Sequence, residues 1–186
     1  KDTVIVSSGD PGIYGMAGLI LEMVEQGEVS LDVEVVPGLP ALAAASALLG
    51  APLTHDFAVI SLSDLLTPWA LIERRLDCAG LGDFVSVIYN PRSKKRHWQL
   101  ARALAILSRH RAPDTPVGLV RQANRSGQQV QTSTLAEFDV EQVDMLSIVI
   151  VGNSHTRLGT GRMFSPRGYA AKYGPLMENE TGESGE

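Results

Sequence analysis

Val4-Ile-Val-Ser-Ser-Gly-Asp-Pro-Gly-Ile-Tyr-Gly15 is a short apolar run that breaks into a glycine-proline turn. Over residues 14–27 the spacing becomes helical: Met16, Leu19, Ile20, Met23 and Val24 fall at i, i+3, i+4, i+7 and i+8. The pattern predicts a buried strand over 4–7, a tight turn and an amphipathic helix. Open α/β sheets use that unit to hold a ligand at the carboxyl end of a strand. Gly9 and Gly12 admit positive φ and close backbone approach, and Pro11 fixes its own φ. Asp10 offers a carboxylate to a ligand's hydroxyl or ammonium group. The same turn would equally serve a helix whose first turn Asp10 caps.

Outward from that turn, strand and helix patterns alternate. Residues 33–36 predict a strand and Pro37-Gly38-Leu39-Pro40 a turn. Residues 41–49 predict an alanine-rich helix, with Pro40 at its first position and Gly50 as its stop. Residues 51–56 read as a linker and mark a domain boundary. Beyond it, strands are predicted over 57–62, 84–89, 116–121, 129–133 and 147–151. Thr67 is set to cap a helix from Pro68, with Trp69, Ile72 and Leu76 inward. A further helix follows the basic run to about Arg109, with Leu100, Leu104 and Leu107 inward. Thr134-Leu-Ala-Glu137 is a capping-box pattern for a short helix. Five strands with intervening helices predict a second α/β layer structure. Residues 171–186, rich in glycine and glutamate, predict a disordered acidic tail.

Composition narrows the function class. With 186 residues and 44% hydrophobic content, the chain has apolar material for one or two small domains. Its single cysteine, Cys78, leaves no internal disulfide and no cysteine-cluster metal site, and suits a reducing cytoplasm. No run approaches the ~18 apolar residues of a membrane span. The formal net charge is −5, but four of the 21 acidic residues lie in the last nine positions. The body is therefore near neutral, which, with four Phe and two Trp, argues against nucleic-acid binding. Basic residues are uneven: Lys1 stands alone before Arg74, whereas four of the five residues 92–96 are basic. An anion-binding face belongs to the second half. No Ser-His-Asp or metal-ligand spacing is present.

Seven segments occur in a fixed order: Ser8-Gly-Asp-Pro-Gly-Ile-Tyr-Gly15, Val36-Pro-Gly-Leu-Pro-Ala41, Pro52-Leu-Thr-His55, Tyr89-Asn-Pro-Arg-Ser-Lys-Lys-Arg96, Thr115-Pro-Val-Gly118, Thr134-Leu135 and Gly152-Asn-Ser154. Together they resemble the tetrapyrrole methylases of cobalamin biosynthesis. The Tyr-Asn-Pro-Arg-Ser segment and Ser165-Pro-Arg-Gly-Tyr169 are similar to the precorrin-3B C17-methyltransferase branch. The resemblance covers residues 2–169. It implies two α/β domains, S-adenosylmethionine in the cleft between them, and a homodimer. Residues 1–52 then form the C-terminal part of a cofactor-binding domain, and 57–170 the second domain. The first domain is expected to be incomplete, since the family's opening strand and glycine-proline loop have no counterpart here.

The resemblance also implies roles. Ser8, Gly9, Asp10, Ile13, Pro40, Ala41, Asn90, Ala123, Thr134 and Leu135 fall at the family's cofactor positions. The implied substrate is a precorrin, metal-free or carrying cobalt, methylated at C17 with ring contraction. Its acetates and propionates would be met by Arg92, Lys94, Lys95, Arg96, Arg121 and Arg125, since guanidinium binds carboxylate bidentately. Ring contraction moves a proton, for which His55, Asp56 and Asp64 are candidates. Methyl transfer to a carbon nucleophile rests mainly on alignment of the reacting atoms. Methylation of another ring carbon, or a non-catalytic ligand-binding fragment, are the alternatives.

Overall fold

The computed structural model of the protein describes residues 3–27 and 30–174. Helices α1 (Ala17–Glu25) and α2 (Ala41–Leu49) come first, then strands β1 (Gly50–Ala51) and β2 (Phe57–Ser61). Helix α3 (Trp69–Leu81), strand β3 (Val85–Tyr89), helix α4 (Gln99–Leu107) and strands β4 (Pro116–Arg121) and β5 (Gln129–Thr134) follow. After a 3-10 turn at Val140–Gln142 come β6 (Ser147–Val151), β7 (Arg157–Gly159), β8 (Arg162–Phe164) and helix α5 (Tyr169–Tyr173).

A five-stranded sheet in the order β2-β3-β6-β4-β5 forms the centre. β2 and β3 are parallel; β6 runs antiparallel to both β3 and β4, and β5 antiparallel to β4. β2, β3 and β4 therefore point the same way, and Ser61, Tyr89 and Arg121 end together. Side chains alternate across the sheet. Ile60, Ile88, Val117, Leu119, Val149 and Val151 meet α3 and α4 through Ile72, Leu76, Leu100, Leu104 and Leu107. Val85, Val87, Val120, Ile148 and Ile150 meet α2 through Ala45 and Leu49, with Met163 beside them. Covering both faces explains why the central strands read as continuous apolar runs.

Helix α2, grouped from the sequence with the residues before it, thus lies on this sheet. Gly118 makes room for it: a Cβ at Gly118 would overlap both δ-methyls of Leu49. Pro40 stands at the N-cap of α2 in an extended conformation (φ −70, ψ 151) and not inside the first turn.

Other expectations change for identifiable reasons. Residues 4–7 and 33–36 are not strands: a strand exists by its ladder, and neither run pairs with another among the described residues. Helix α1 forms where its period predicts, yet buries no residue. Asp10 caps no helix, because α1 begins after Met16. Thr67 makes no cap; Pro68 precedes α3 without a side-chain bond. The Thr134 hydroxyl donates to the Glu137 carboxylate (3.0 Å), but the segment closes a turn, not a helix. The hairpin of β7 and β8, which adds β1 in parallel to form a three-stranded sheet, had its signal in Thr160-Gly161, both at positive φ. Residues 171–173, assigned to a tail, belong to α5; the rest of that segment, from 175, lies outside the described residues.

One cation knits the far end of the sheet. The buried Arg111 guanidinium donates to the carbonyls of Gly80 (2.9 Å), Phe84 (2.9 Å) and Gly152 (3.1 Å) and pairs with Asp83 at 3.2 Å. Burial pulls the Arg111 pKa down and Asp83 opposes that. Burial alone would raise the Asp83 carboxyl; the Ser154 hydroxyl and N–H, with Arg111, outweigh it and hold the group below its usual value.

Two outcomes follow from these contacts. Gly118→Ala should destabilise by about 1–3 kcal/mol, the range for overpacking a core; combined with Leu49→Ala its extra cost should largely vanish, as chemical denaturation would measure. A depressed carboxylate stabilises the fold above the unfolded value of about 3.9 and loses that contribution as pH falls through the folded value. Asp83→Asn should therefore lower stability at neutral pH and flatten the acid limb of a stability profile below about pH 4.

Candidate functional site at the carboxyl end of the sheet

Two glycine loops meet at this end. Asp10 accepts from the Gly12 N–H through Oδ1 (2.8 Å) and from the Gly38 N–H through Oδ2 (3.0 Å). Its carboxylate thus joins the turn after residue 8 to the turn before α2. Gly38 permits the approach, since a Cβ there would overlap the Gly9 carbonyl oxygen. Ser8 is tied to the sheet: the Arg125 guanidinium, in the loop after β4, donates to its Oγ at 2.7 Å. Ile13 closes the turn by donating its N–H to the Asp10 carbonyl (3.3 Å).

The end of β3 anchors the other side. Tyr89 Oη accepts from the Leu42 N–H at 2.9 Å, in the first turn of α2, where Pro40 supplies no side-chain cap. The Tyr14 ring lies tilted on the Tyr89 ring at 5.1 Å, and its hydroxyl donates to the Val59 carbonyl (3.2 Å). Partial burial pushes both phenols above their usual pKa, opposed at Tyr14 by the Ser61 backbone and at Tyr89 by the bond that it accepts from Leu42. Asn90 follows at φ +50; its Nδ2 donates to Ser61 Oγ (2.9 Å), and its carbonyl accepts from Arg96 Nε (2.8 Å). Ala123 packs beside the α2-side core.

Ser8, Gly9, Asp10, Ile13, Pro40, Ala41, Asn90 and Ala123 are therefore gathered at one end. Thr134 and Leu135 are not: Thr134 pairs with Pro116 at the start of β4, and Leu135 donates its N–H to the Thr115 carbonyl. His55 and Asp56 also lie at the far end, where the Asp56 carbonyl receives the Val85 N–H. There the His55 ring stacks on His155 at 6.0 Å. Asp64 sits at the near end and accepts from Gln99 Nε2 (2.9 Å).

Most of the predicted anion-binding cations are engaged within the protein. Arg92 donates to the Val140 carbonyl (2.9 Å) and to Glu141 (2.6 Å), and Arg121 to Asp144 (2.6 Å). Lys94 and Lys95 are exposed, in a turn closed by the Ser93 side chain. The segments 52–55 and 165–167 prove to be one seam at the far end. There the Ser165 hydroxyl donates to the Pro52 carbonyl (2.7 Å) and the Thr54 hydroxyl to the Ser165 carbonyl (2.6 Å). A groove of about 510 Å³ at that end is lined by His110, Arg111, Asp114, Asn153, Ser154 and Arg157, among others. Tyr14, Tyr89, Ser61 and Gly38 were not among the candidate site residues; a tyrosine closing an apolar strand just before an Asn-Pro turn was the available signal.

Comparison with known proteins shows the family and the fold. The family model "Tetrapyrrole (Corrin/Porphyrin) Methylases" matches residues 1–139. A probable cobalt-factor III C(17)-methyltransferase of Salmonella typhimurium is 51% identical over 168 residues, 90% of this chain and 70% of that protein. The crystal structure of the methyltransferase CobJ superposes with a TM-score of 0.83 at 39% identity, covering 88% of this chain and 69% of that one. A uroporphyrin-III C-methyltransferase from Thermus thermophilus, solved with S-adenosylhomocysteine, gives 0.51 at 25% identity over 77% of this chain and 62% of its own.

Asp10→Ala removes both acceptors that bind the two loops. Amide hydrogen exchange at Gly12 and Gly38 should quicken about tenfold or more, consistent with losing roughly 1.5–3 kcal/mol of charge-assisted bonding locally, while the sheet's exchange stays unchanged.

Proposed function

The chain belongs to the tetrapyrrole methylase family, and we propose that it is an S-adenosylmethionine-dependent methyltransferase acting at C17 of a cobalt-containing or metal-free precorrin, with ring contraction. The observation that carries this reading is the convergence of the Ser8–Ile13 turn, the Pro40–Ala41 helix start, Asn90 and Ala123 at the carboxyl ends of three parallel strands. Relatives of the same family name supply the chemistry, and the name of the Salmonella protein favours the cobalt form.

The residues present suit such a cofactor. Gly9, Gly38, Ala41 and Ala123 carry little or no side chain, leaving a backbone-lined surface for a flat nucleoside. Ser8 and Asp10 are fixed by their own bonds, so their remaining acceptor capacity is oriented before a ligand arrives. When bound, S-adenosylmethionine supplies an electrophilic methyl on a sulfonium. The chain's part is to hold and align, which such a transfer chiefly needs. Thr134, Leu135, His55 and Asp56 stand apart from this end and take no part in the reading; Asp64 remains as the acid–base candidate. Lys94 and Lys95, with Arg96 behind them, are the cations proposed for the macrocycle's carboxylates.

The proposal includes two units with the cofactor between them, α2 standing on the side of the sheet that it packs against. It also includes a cytoplasmic homodimer, a compartment in keeping with the unpaired Cys78.

Incubation with methyl-labelled S-adenosylmethionine and cobalt-factor III should yield a product carrying one added label at C17, read by mass spectrometry and carbon NMR. Label at another ring carbon would reassign the branch, and folded protein transferring nothing to any tetrapyrrole would overturn the reading. The double variant K94Q/K95Q should raise the substrate KM several-fold at unchanged cofactor affinity. Arg92→Lys should act chiefly on stability, through the contacts to Val140 and Glu141.

A further inference from the structure

We propose that Tyr89 is a positioning residue for the cofactor: its phenolic oxygen caps helix α2 and so fixes the Pro40–Ala41 wall against the Asn90 wall. The inference rests on the methyltransferase reading and assigns a role to a residue outside the set implied by resemblance.

The first turn of any helix carries N–H groups without intrahelical partners, normally met by a side chain at the N-cap. Proline at that position in α2 has none to offer. Tyr89 fills the vacancy from another element, 47 positions along the chain, at 2.9 Å. The two residues that flank this bond are the candidate cofactor walls: Ala41 precedes Leu42, and Asn90 follows Tyr89. Among the described residues no other hydrogen bond links α2 to the end of β3. The ring itself is held. Tyr14 packs on it at 5.1 Å and is fixed in turn by its own bond to the Val59 carbonyl. Tyr14 adopts φ +53, a conformation that non-glycine residues hold only when surroundings enforce it. The turn carrying Ser8 and Asp10, the start of α2 and the end of β3 are thus registered through this pair of aromatic rings, alongside the Asp10 bond to Gly38. Removing a single oxygen from Tyr89 should free the α2 start while leaving the ring stack and the buried core intact.

The test is calorimetric titration with S-adenosylhomocysteine, alongside steady-state kinetics. Tyr89→Phe is expected to weaken binding about three- to tenfold, the equivalent of one hydrogen bond. The cofactor KM should rise in parallel, the substrate KM should hold, and thermal stability should change little. Pro40→Ser restores a side-chain acceptor at the N-cap. It should recover much of the loss in the Tyr89→Phe background and add less when Tyr89 is intact. That non-additivity is what a merely structural role would not produce. Equal affinity of Tyr89→Phe and the unaltered protein, or additive effects of the two changes, would overturn the proposal and leave the methyltransferase reading standing. If the unaltered protein binds no S-adenosylhomocysteine, both fall. Should Tyr89→Phe fold poorly, Pro40→Ser in the unaltered background decides: little change in affinity is expected because Tyr89 already fills the cap, and a several-fold gain would overturn the proposal.

Discussion

The seat of one helix on one glycine governs the arrangement of this molecule. Leu49 lies over Gly118 so closely that no Cβ fits between them, and this contact sets how deeply α2 sinks onto the sheet. Because α2 is only nine residues long, seating its C-terminal end also brings its N-terminal end close to the sheet, where the Tyr89 hydroxyl meets it. That end carries Pro40 and Ala41 to the carboxyl ends of β3 and β4. Packing here is not separable from function: the same apolar face that completes the core delivers one wall of the candidate site.

Charge is distributed along the same axis. At the far end Arg111 is buried among carbonyls and paired with Asp83, a use in which the guanidinium holds chain segments together. A buried cation is tolerable only when its donors are satisfied, and here at least three carbonyls share the task. Arg92 and Arg121 are likewise engaged, by Glu141 and Asp144. The near end keeps Lys94 and Lys95 exposed. A count of basic residues in the sequence weighs all of these equally. The structure divides them into those that build and those that remain available, and the second group is the smaller.

The legible parts of the fold were those governed by local pattern backed by burial. β4 and β6 begin and end where their apolar runs do, and α2 matches its predicted span, because each is covered on the face that its period presents. Residues 4–7 and 33–36 carry the same β-branched pattern without a described partner, so pattern alone misled. Of the site, the glycine turns and Asn90 were visible as motifs. Tyr89 stood in one of those motifs, but its capping role was hidden, because it depends on a helix 47 positions away and on a proline that offers no side-chain cap. Thr134-Leu135 illustrates the converse: read from the sequence as cofactor-directed, it closes a strand that runs antiparallel and so lies at the other end of the sheet from the glycine turns.

Backbone strain collects where alignment matters. Among the described residues six non-glycine residues hold positive φ, and four of them, Tyr14, Asn90, Gln122 and Asn124, lie at the carboxyl end of β2–β4 or in the loop packed on it. Each such residue costs on the order of 1–3 kcal/mol and persists only where neighbours over-determine it. Tyr14 is held by a ring and a carbonyl, Asn90 by Ser61 and Arg96, Gln122 by the Leu146 carbonyl and Asn124 by the Gln128 side chain. Methyl transfer gains little from acid–base groups and much from a fixed approach of donor to acceptor. A site for it should therefore be stiff before its ligands arrive. Loops pinned in disfavoured conformations by several independent bonds have that stiffness, and at this end of the sheet they are concentrated around the residues that would touch the cofactor.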